Sequence, residues 1–301
     1  MKKSEKRPKV LVIVGPTASG KTGLAVALAK QFNGEVISAD SRQVYKGLDI
    51  GTAKVTEEEM QGVSHHLIDV AEVKEVYSAA DFVRDGQKAI ADIISRDKLP
   101  IIAGGTFFYV DALLGRTSLP QVEPYPELRA ELERKSEKEL FAMLEKKDPH
   151  RASEIDQNNK RRLIRALEIT HELEYVPEVP ASNSPYNHLI IGIETEKEEL
   201  REKFAVRAEQ FLQSGFLKEI EQLHEAEVSK ERLLEIGFEY QIGLELFENQ
   251  INEEEFVEKF IAKNWQYAKR QMTWLQRDQK IKWFKANDPE IFILSEKFLK
   301  S

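Results

Sequence analysis

A chain of 301 residues is long enough to bury one large core, or a core with a smaller companion domain. Hydrophobic content of 41% is ordinary for a globular protein, and the formal net charge of -8 excludes a uniformly basic nucleic-acid coat while leaving room for a local basic groove. The absence of cysteine excludes disulfides, thiolate nucleophiles and cysteine zinc sites, and fits a reducing compartment. Only five apolar residues, Val10 to Val14, separate the basic N-terminal stretch from Gly15, too few for a signal-peptide core. No stretch reaches membrane-spanning length, so a cytoplasmic protein is expected.

In chain order, Val10 to Val14 reads as a buried strand, and Lys21 to Phe32 as a helix with Leu24, Ala25 and Leu28 on one face. Val36 to Ser38 predicts a second strand and His66 to Asp69 a third. Ser78-Ala-Ala-Asp81 is a capping-box pattern opening a helix that runs to about Ile94. Pro100 to Ala103 is a further strand, closed by Gly104-Gly105. Residues 125–175 are charged and helical in periodicity, with no strand signal, and Val176 to Asn187 reads as a linker through Pro177, Pro180 and Pro185. Leu189 to Ile193 predicts a return to the sheet, followed by long helices over 197–214 and 252–278. Strands alternating with helices imply a parallel sheet covered on both faces. The expected architecture is an α/β class P-loop core (1–116 and 188–301) with flanking helices and a helical C-terminal part, interrupted by a small all-helical insertion (117–187).

Gly15-Pro16-Thr17-Ala18-Ser19-Gly20-Lys21-Thr22 matches G-x-x-x-x-G-K-[ST] at every position, between an apolar strand and a helix. The glycines let backbone N–H groups close around phosphate oxygens at the positive end of the helix. Lys21 adds a cation, and the Thr22 hydroxyl is placed to hold a magnesium ion bridging phosphates. The loop specifies a diphosphate without specifying a nucleotide. An Asn-Lys-x-Asp guanine-reading motif is absent, which disfavours a GTPase.

After the second strand comes Asp40-Ser-Arg-Gln-Val-Tyr-Lys-Gly-Leu-Asp-Ile-Gly-Thr-Ala-Lys54. A carboxylate at the C-terminal end of a strand beside the P-loop strand faces the ligand crevice, which makes Asp40 a general base, a metal ligand or a turn former. This run and the loop before it resemble the tRNA dimethylallyltransferases. So do His65-His-Leu-Ile-Asp69, Tyr77-Ser-Ala-Ala-Asp-Phe82, Gly104-Gly-Thr106, Arg161-Arg-Leu-Ile-Arg-Ala-Leu-Glu168 and Trp265-Gln-Tyr-Ala-Lys-Arg-Gln-Met-Thr-Trp274. The similarity runs from about residue 10 to 284. One departure is Phe107-Phe108, where the family more often has Gly-Leu, a change that bears on the substrate channel. With no cysteine in these 301 residues, the C-terminal cysteine zinc finger of some relatives is not expected here.

The resemblance implies transfer of a dimethylallyl group from dimethylallyl diphosphate to the exocyclic N6 amine of adenosine at tRNA position 37, beside the anticodon. The P-loop then holds the leaving group, whose growing charge is stabilised by backbone amides, Lys21 and magnesium. Asp40 is the expected base, with Thr106 positioning the amine or the base unless it serves only as a helix N-cap. The resemblance also implies that Arg207 contacts the diphosphate, its bland alternative being a surface arginine on an amphipathic helix. Asp40, Ser41, Arg42, Gln43 and Thr106 lie where the family meets the flipped base and its neighbours.

Two basic stretches stand out against the acidic whole. One is Lys160-Arg161-Arg162 with Arg165, on the last helix of the insertion; the other runs from Lys259 to Lys282, with seven Lys or Arg against Asp278, and includes Lys269 and Arg270. Trp265, Tyr267, Trp274 and Trp283 are interleaved with the second, a mixture suited to phosphate contact and base stacking. Tryptophans at helical spacing more often pack into a core, so Trp265 and Trp274 are expected inside with their neighbouring cations facing RNA. Arg129 is a further phosphate-contact candidate, or part of a solvated helix face. The expected partners are the tRNA anticodon stem-loop and dimethylallyl diphosphate, without a membrane, acting on a monomer. Competing readings are an adenylate isopentenyltransferase, a P-loop small-molecule kinase using ATP, and an ATP-driven RNA-binding protein. The insertion and basic helix favour tRNA over a free nucleotide; no arginine-rich lid or helicase-type Asp-Glu pair supports the other two.

Overall fold

The computed structural model of this chain describes residues 7–117, 119–120, 122–123, 125–177 and 184–301. The chain divides into two compact units, Met1–Leu114 with Ser184–Ser301, and Gly115–Asn183.

The larger unit begins with β1 (Lys9–Val14), α1 (Lys21–Gln31), β2 (Gly34–Ser38), α2 (Glu57–Met60), β3 (His65–His66), α3 (Ala79–Ser95), β4 (Leu99–Ala103) and α4 (Phe107–Leu113). The smaller unit holds α5 (Pro126–Glu133), α6 (Glu137–Lys147), α7 (Pro149–Glu154) and α8 (Lys160–Leu173). The larger unit resumes with β5 (Asn187–Ile193), α9 (Lys197–Gln213), α10 (Phe216–Glu225), α11 (Lys230–Ile236), α12 (Phe238–Phe247), α13 (Glu253–Leu275), β6 (Lys282–Phe284) and α14 (Glu290–Lys300).

All six strands form one parallel sheet in the order β3-β2-β4-β1-β5-β6. The apolar run Val10 to Val14 has a side chain for each face. Val10, Val12 and Val14 pack with α3 and α4 residues such as Phe82, Ile90 and Val110, whereas Leu11 and Ile13 pack with Leu24 and Leu28 of α1 and Ile291 of α14. This two-sided burial is why the strand reads as an unbroken apolar run. A second helical cluster in the same unit joins Val44 and Leu48 to Phe211, Phe216, Tyr240, Phe256 and Phe260.

Registers set the site. Ile13 pairs with Ala103, and Ser38 pairs with Ala103 from the other side. The C-terminal ends of β1, β4 and β2 therefore lie side by side, and the segments leaving them, Gly15 to Thr22, Gly104 to Thr106 and Asp40 to Gln43, start at one edge of the sheet. That edge is where open parallel sheets bind ligands.

The third strand is shorter than the sequence predicts. Only His65 and His66 pair with β2; Leu67 and Asp69 have φ of 64° and 55°, left-handed backbone that ends a strand. Asp69 accepts a hydrogen bond from Lys54 there. The capping box at Ser78 forms as read, with Asp81 closing it. β6 and the helices α10 to α12 and α14 were not separately legible.

In the smaller unit, α5 to α8 bury Leu132, Leu140, Leu144, Leu163, Ile164 and Leu167 in a core of their own, and no strand occurs among its described residues. Residues 178–183 of the proline-rich linker, with Pro180, lie outside the described residues. Among the described residues no helix is long and apolar enough to cross a membrane.

Candidate active site

The P-loop takes a left-handed turn at Ala18 (φ 61°) and again at Gly20 (φ 89°), the N-cap of α1. Glycine at the cap carries no side-chain oxygen, so nothing within the loop caps the first amides of α1. A helix start left open in this way suits an anion. Ser19 Oγ is buried with no hydrogen-bond partner among the described residues, an orphan that a phosphate oxygen would satisfy. A side chain at Gly15 would collide with the Ile193 carbonyl, 2.8 Å from an added Cβ, so only glycine lets the loop leave β1 here.

Lys21 lies in the cavity with Nζ donating to the Pro16 carbonyl at 2.6 Å. Burial, with the nearby Arg207 charge, pushes its pKa down to about 7 against the opposing pull of Asp40. Arg207, on α9, lines the same cavity and donates from Nη1 to Thr17 Oγ1 at 3.2 Å; burial lowers its pKa too. It is therefore not the surface arginine that periodicity allowed. Thr22 is exposed at the cavity wall. No group of three or more His, Asp or Glu able to hold a metal occurs among the described residues. A magnesium ion here would rest on the diphosphate's own oxygens, with the Thr22 hydroxyl as protein ligand.

Facing this cradle is the turn that leaves β2. Asp40 Oδ1 accepts the N–H groups of Arg42 at 2.9 Å and Gln43 at 3.3 Å, while the carboxylate lines the cavity. The turn-former and the reactive-group readings of Asp40 thus coexist: one oxygen builds the turn, and Oδ2 makes no hydrogen bond among the described residues. Gln43 also lines the cavity and donates from Nε2 to the Ala53 carbonyl at 3.1 Å.

Arg42 lines the same cavity, with its side chain held in place. Its guanidinium pairs with Glu239 and lies over the rings of Phe238 and Tyr267, 5.3 Å and 5.4 Å from their centroids. Gly237 makes this possible, because a Cβ there would sit 2.8 Å from Arg42 Cζ. Glu239 is buried, which raises its carboxyl pKa against the pull of Arg42.

Ser41 and Thr106 meet each other and stay off the cavity wall. Ser41 N–H donates to Thr106 Oγ1 at 3.0 Å, and the Thr106 hydroxyl lies 3.3 Å from Ser41 Oγ. Thr106 stands at the N-cap position of α4, yet its side chain caps nothing. Phe107 is buried in the core and Phe108 is exposed, and neither lines the cavity.

The C-terminal half closes the site with Tyr267, one of the aromatics singled out for base stacking, and with Asn264 and Gln271, to which the sequence assigned no role. Asn264, Tyr267 and Gln271 of α13 line the cavity. Glu219 of α10 accepts the N–H groups of Asp49, Ile50 and Gly51 and the Tyr240 hydroxyl, fixing the turn that carries Gly51 on the cavity wall. Gln271 falls inside the quoted 265–274 run, so helical spacing from Asn264 and Tyr267 (positions 264, 267 and 271) was the available signal.

Of the basic candidates, Lys269 and Arg270 are exposed on α13, with Arg270 over the Tyr267 ring at 5.9 Å. Trp265 packs against Leu200, Phe204 and Ala268, and Trp274 donates from Nε1 to Asp111 Oδ2 at 3.1 Å, so both tryptophans are half-buried and pack against the core. In the smaller unit Arg161 and Arg162 are exposed. The other three cations there are engaged. Arg129 pairs bidentately with buried Glu168 at 3.0 and 2.8 Å, Arg165 donates to the Val122 carbonyl at 2.7 Å and lies 3.5 Å from Glu168, and Lys160 donates to the Glu133 carbonyl at 2.7 Å.

Comparison with known proteins agrees with this geometry. The family model described as IPP transferase matches residues 43–278. A tRNA dimethylallyltransferase of Enterococcus faecalis is 41% identical over 92% of this chain and 91% of its own length. One of Streptococcus equi is 40% identical over 98% of this chain and 99% of its own. The crystal structure of a tRNA isopentenylpyrophosphate transferase from Bacillus halodurans superposes with a TM-score of 0.71 at 36% identity, covering 98% of this chain and 96% of that one. A eukaryotic dimethylallyltransferase acting on tRNA gives a TM-score of 0.77 at 30% identity, over 93% of this chain and 74% of the other. A P-loop on a six-stranded parallel sheet, a carboxylate lining the same cavity, and this depth of similarity together place the chain in the IPP transferase family.

Proposed function

We propose that this enzyme transfers a dimethylallyl group from dimethylallyl diphosphate to the N6 amine of adenosine at tRNA position 37, releasing diphosphate. One observation carries the reading: the P-loop and the Asp40 carboxylate line the same cavity. A leaving group and a proton acceptor on one cavity suit alkylation of an amine.

The allylic C–O bond breaks and its electron pair departs on the diphosphate. The N6 lone pair forms the new C–N bond, and the proton shed by nitrogen passes to Asp40. Lys21, Arg207 and the uncapped amides of α1 meet the negative charge where it grows. Magnesium, when bound through Thr22, supplies further stabilisation of the departing oxygens. Adenine is a weak nucleophile whose proton becomes acidic only as the new bond forms, so Asp40 acts late, as a general base. The pair Arg42–Glu239 braces the base side of the cavity between Phe238 and Tyr267, with Gln43 beside it. Arg161, Arg162, Lys269 and Arg270, all exposed, are the phosphate contacts we assign to tRNA. The enzyme works as a monomer in the cytoplasm.

The test offers magnesium, dimethylallyl diphosphate labelled in its carbon skeleton, and either unmodified tRNA or AMP. Label entering tRNA and not AMP is expected. Label entering AMP alone identifies an adenylate isopentenyltransferase, and ATP turnover without label transfer identifies a kinase; either result overturns the proposal.

A further inference from the structure

Gln271 connects the two sides of the site. It is 3% exposed, and its amide is used at both ends: Oε1 accepts the Thr17 N–H at 2.9 Å, and Nε2 donates to the Gly105 carbonyl at 3.0 Å. The orientation of the amide follows from its partners, since a backbone N–H only donates and a carbonyl only accepts. Gly105 is shaped to this contact, because a Cβ there would stand 2.7 Å from Nε2.

Bonds continue from each end. Thr106, next to Gly105, donates its N–H to the Ala39 carbonyl at 3.1 Å and accepts the Ser41 N–H on Oγ1 at 3.0 Å, so both neighbours of Asp40 are held through it. On the other side, Thr17 Oγ1 accepts from Arg207. A single buried amide thus closes a path from the arginine and P-loop of the diphosphate side to the flanks of Asp40. With its N–H given to Gln271, Thr17 is a structural link in the loop, and the phosphate cradle falls to the amides after it.

We infer that Gln271 is a positioning residue for prenyl transfer, setting the distance between the leaving diphosphate and the Asp40 carboxylate; this rests on the function proposed above. No other side chain of this length both accepts and donates at these points: Glu accepts from Thr17 but repels the Gly105 carbonyl, and Ala does neither. Errors near 1 Å in such spacings cost about 100-fold in rate.

The experiment measures single-turnover transfer over a range of dimethylallyl diphosphate concentrations up to saturation, tRNA affinity and thermal midpoint for wild type, Q271E, Q271A, G105A and G105A/Q271A. Both Q271E and Q271A are expected to lose about 100-fold in the transfer step while binding tRNA within about twofold of wild type. G105A is expected to lose as much, because its methyl displaces the amide, and the double variant to be no slower than either single one. Transfer by Q271E and Q271A within about twofold of wild type overturns the inference. So do losses that multiply in the double variant, or rate losses regained by raising donor concentration. Wild-type enzyme that fails to modify tRNA at all sinks the proposed function instead, so the two failures are distinguishable.

Discussion

The diphosphate side and the base side of this cavity are built in different ways. The diphosphate side is mostly local: eight consecutive residues, Gly15 to Thr22, carry the turn, the open helix start and Lys21, and Arg207 joins them from distant chain. The base side is assembled from distant chain. Arg42 pairs with Glu239, 197 positions away, and Thr17 bonds Gln271, 254 positions away. A local device keeps its shape wherever a strand and a helix hold its ends, so one loop can serve many chemistries. An assembled wall exists only in the whole fold, and it is this wall that makes the loop's diphosphate a leaving group.

The sharpest way to break the comparison is Asp40→Asn. Asparagine retains an oxygen for the Arg42 and Gln43 amides, so the turn and tRNA binding are expected to persist while transfer falls by about 100- to 10,000-fold. Single-turnover rates beside equilibrium tRNA binding check this; transfer at a near-normal rate removes Asp40 as the base.

A smaller effect tests the local side alone. Free Lys21 titrates at about 7, lowered chiefly by burial, and a bound diphosphate favours the ammonium form and raises that value. Binding therefore takes up a proton above pH 7. Affinity for inorganic diphosphate is expected to weaken by up to about tenfold per pH unit from pH 7 toward 9, with no slope from this group below 7. Calorimetry in two buffers of different ionisation enthalpy reads the proton directly, and a flat affinity over that range contradicts it.

The smallest effects separate engaged from available cations in the smaller unit. Arg129→Ala leaves buried Glu168, among the described residues, with the more distant Arg165 and is expected to cost about 1–3 kcal/mol of that unit's stability. Arg161→Ala is expected to leave the melting midpoint unchanged and to weaken tRNA binding, reducing its salt slope by about 0.7–0.9. Thermal melts with binding measured at several salt concentrations decide between them.

Legibility in the sequence follows the same division. The apolar run of β1, the Ser78 capping box and the P-loop depend on neighbours within a few residues, and each was readable; the parallel pairing of the strands followed from their alternation with helices. His66 to Asp69 misled because its apolar pair resembles a strand while Leu67 and Asp69 take left-handed backbone. The ion pairs of Arg42 with Glu239 and of Arg129 with Glu168 were not legible, because nothing nearby in sequence reveals those buried carboxylates. Gln271 was hidden for a related reason: a neutral amide on a basic helix announces no chemistry until its two backbone partners are known.

The role of the diphosphate as leaving group is tested most directly by a donor labelled twice, with one isotope in the dimethylallyl carbons and another in the terminal phosphate. Wild-type enzyme, magnesium and unmodified tRNA are expected to give carbon label in tRNA and phosphate label only in free diphosphate, in equal amounts. Phosphate label in the acceptor would show that the P-loop donates a phosphoryl group, and would contradict the reading of this site as a prenyl transferase.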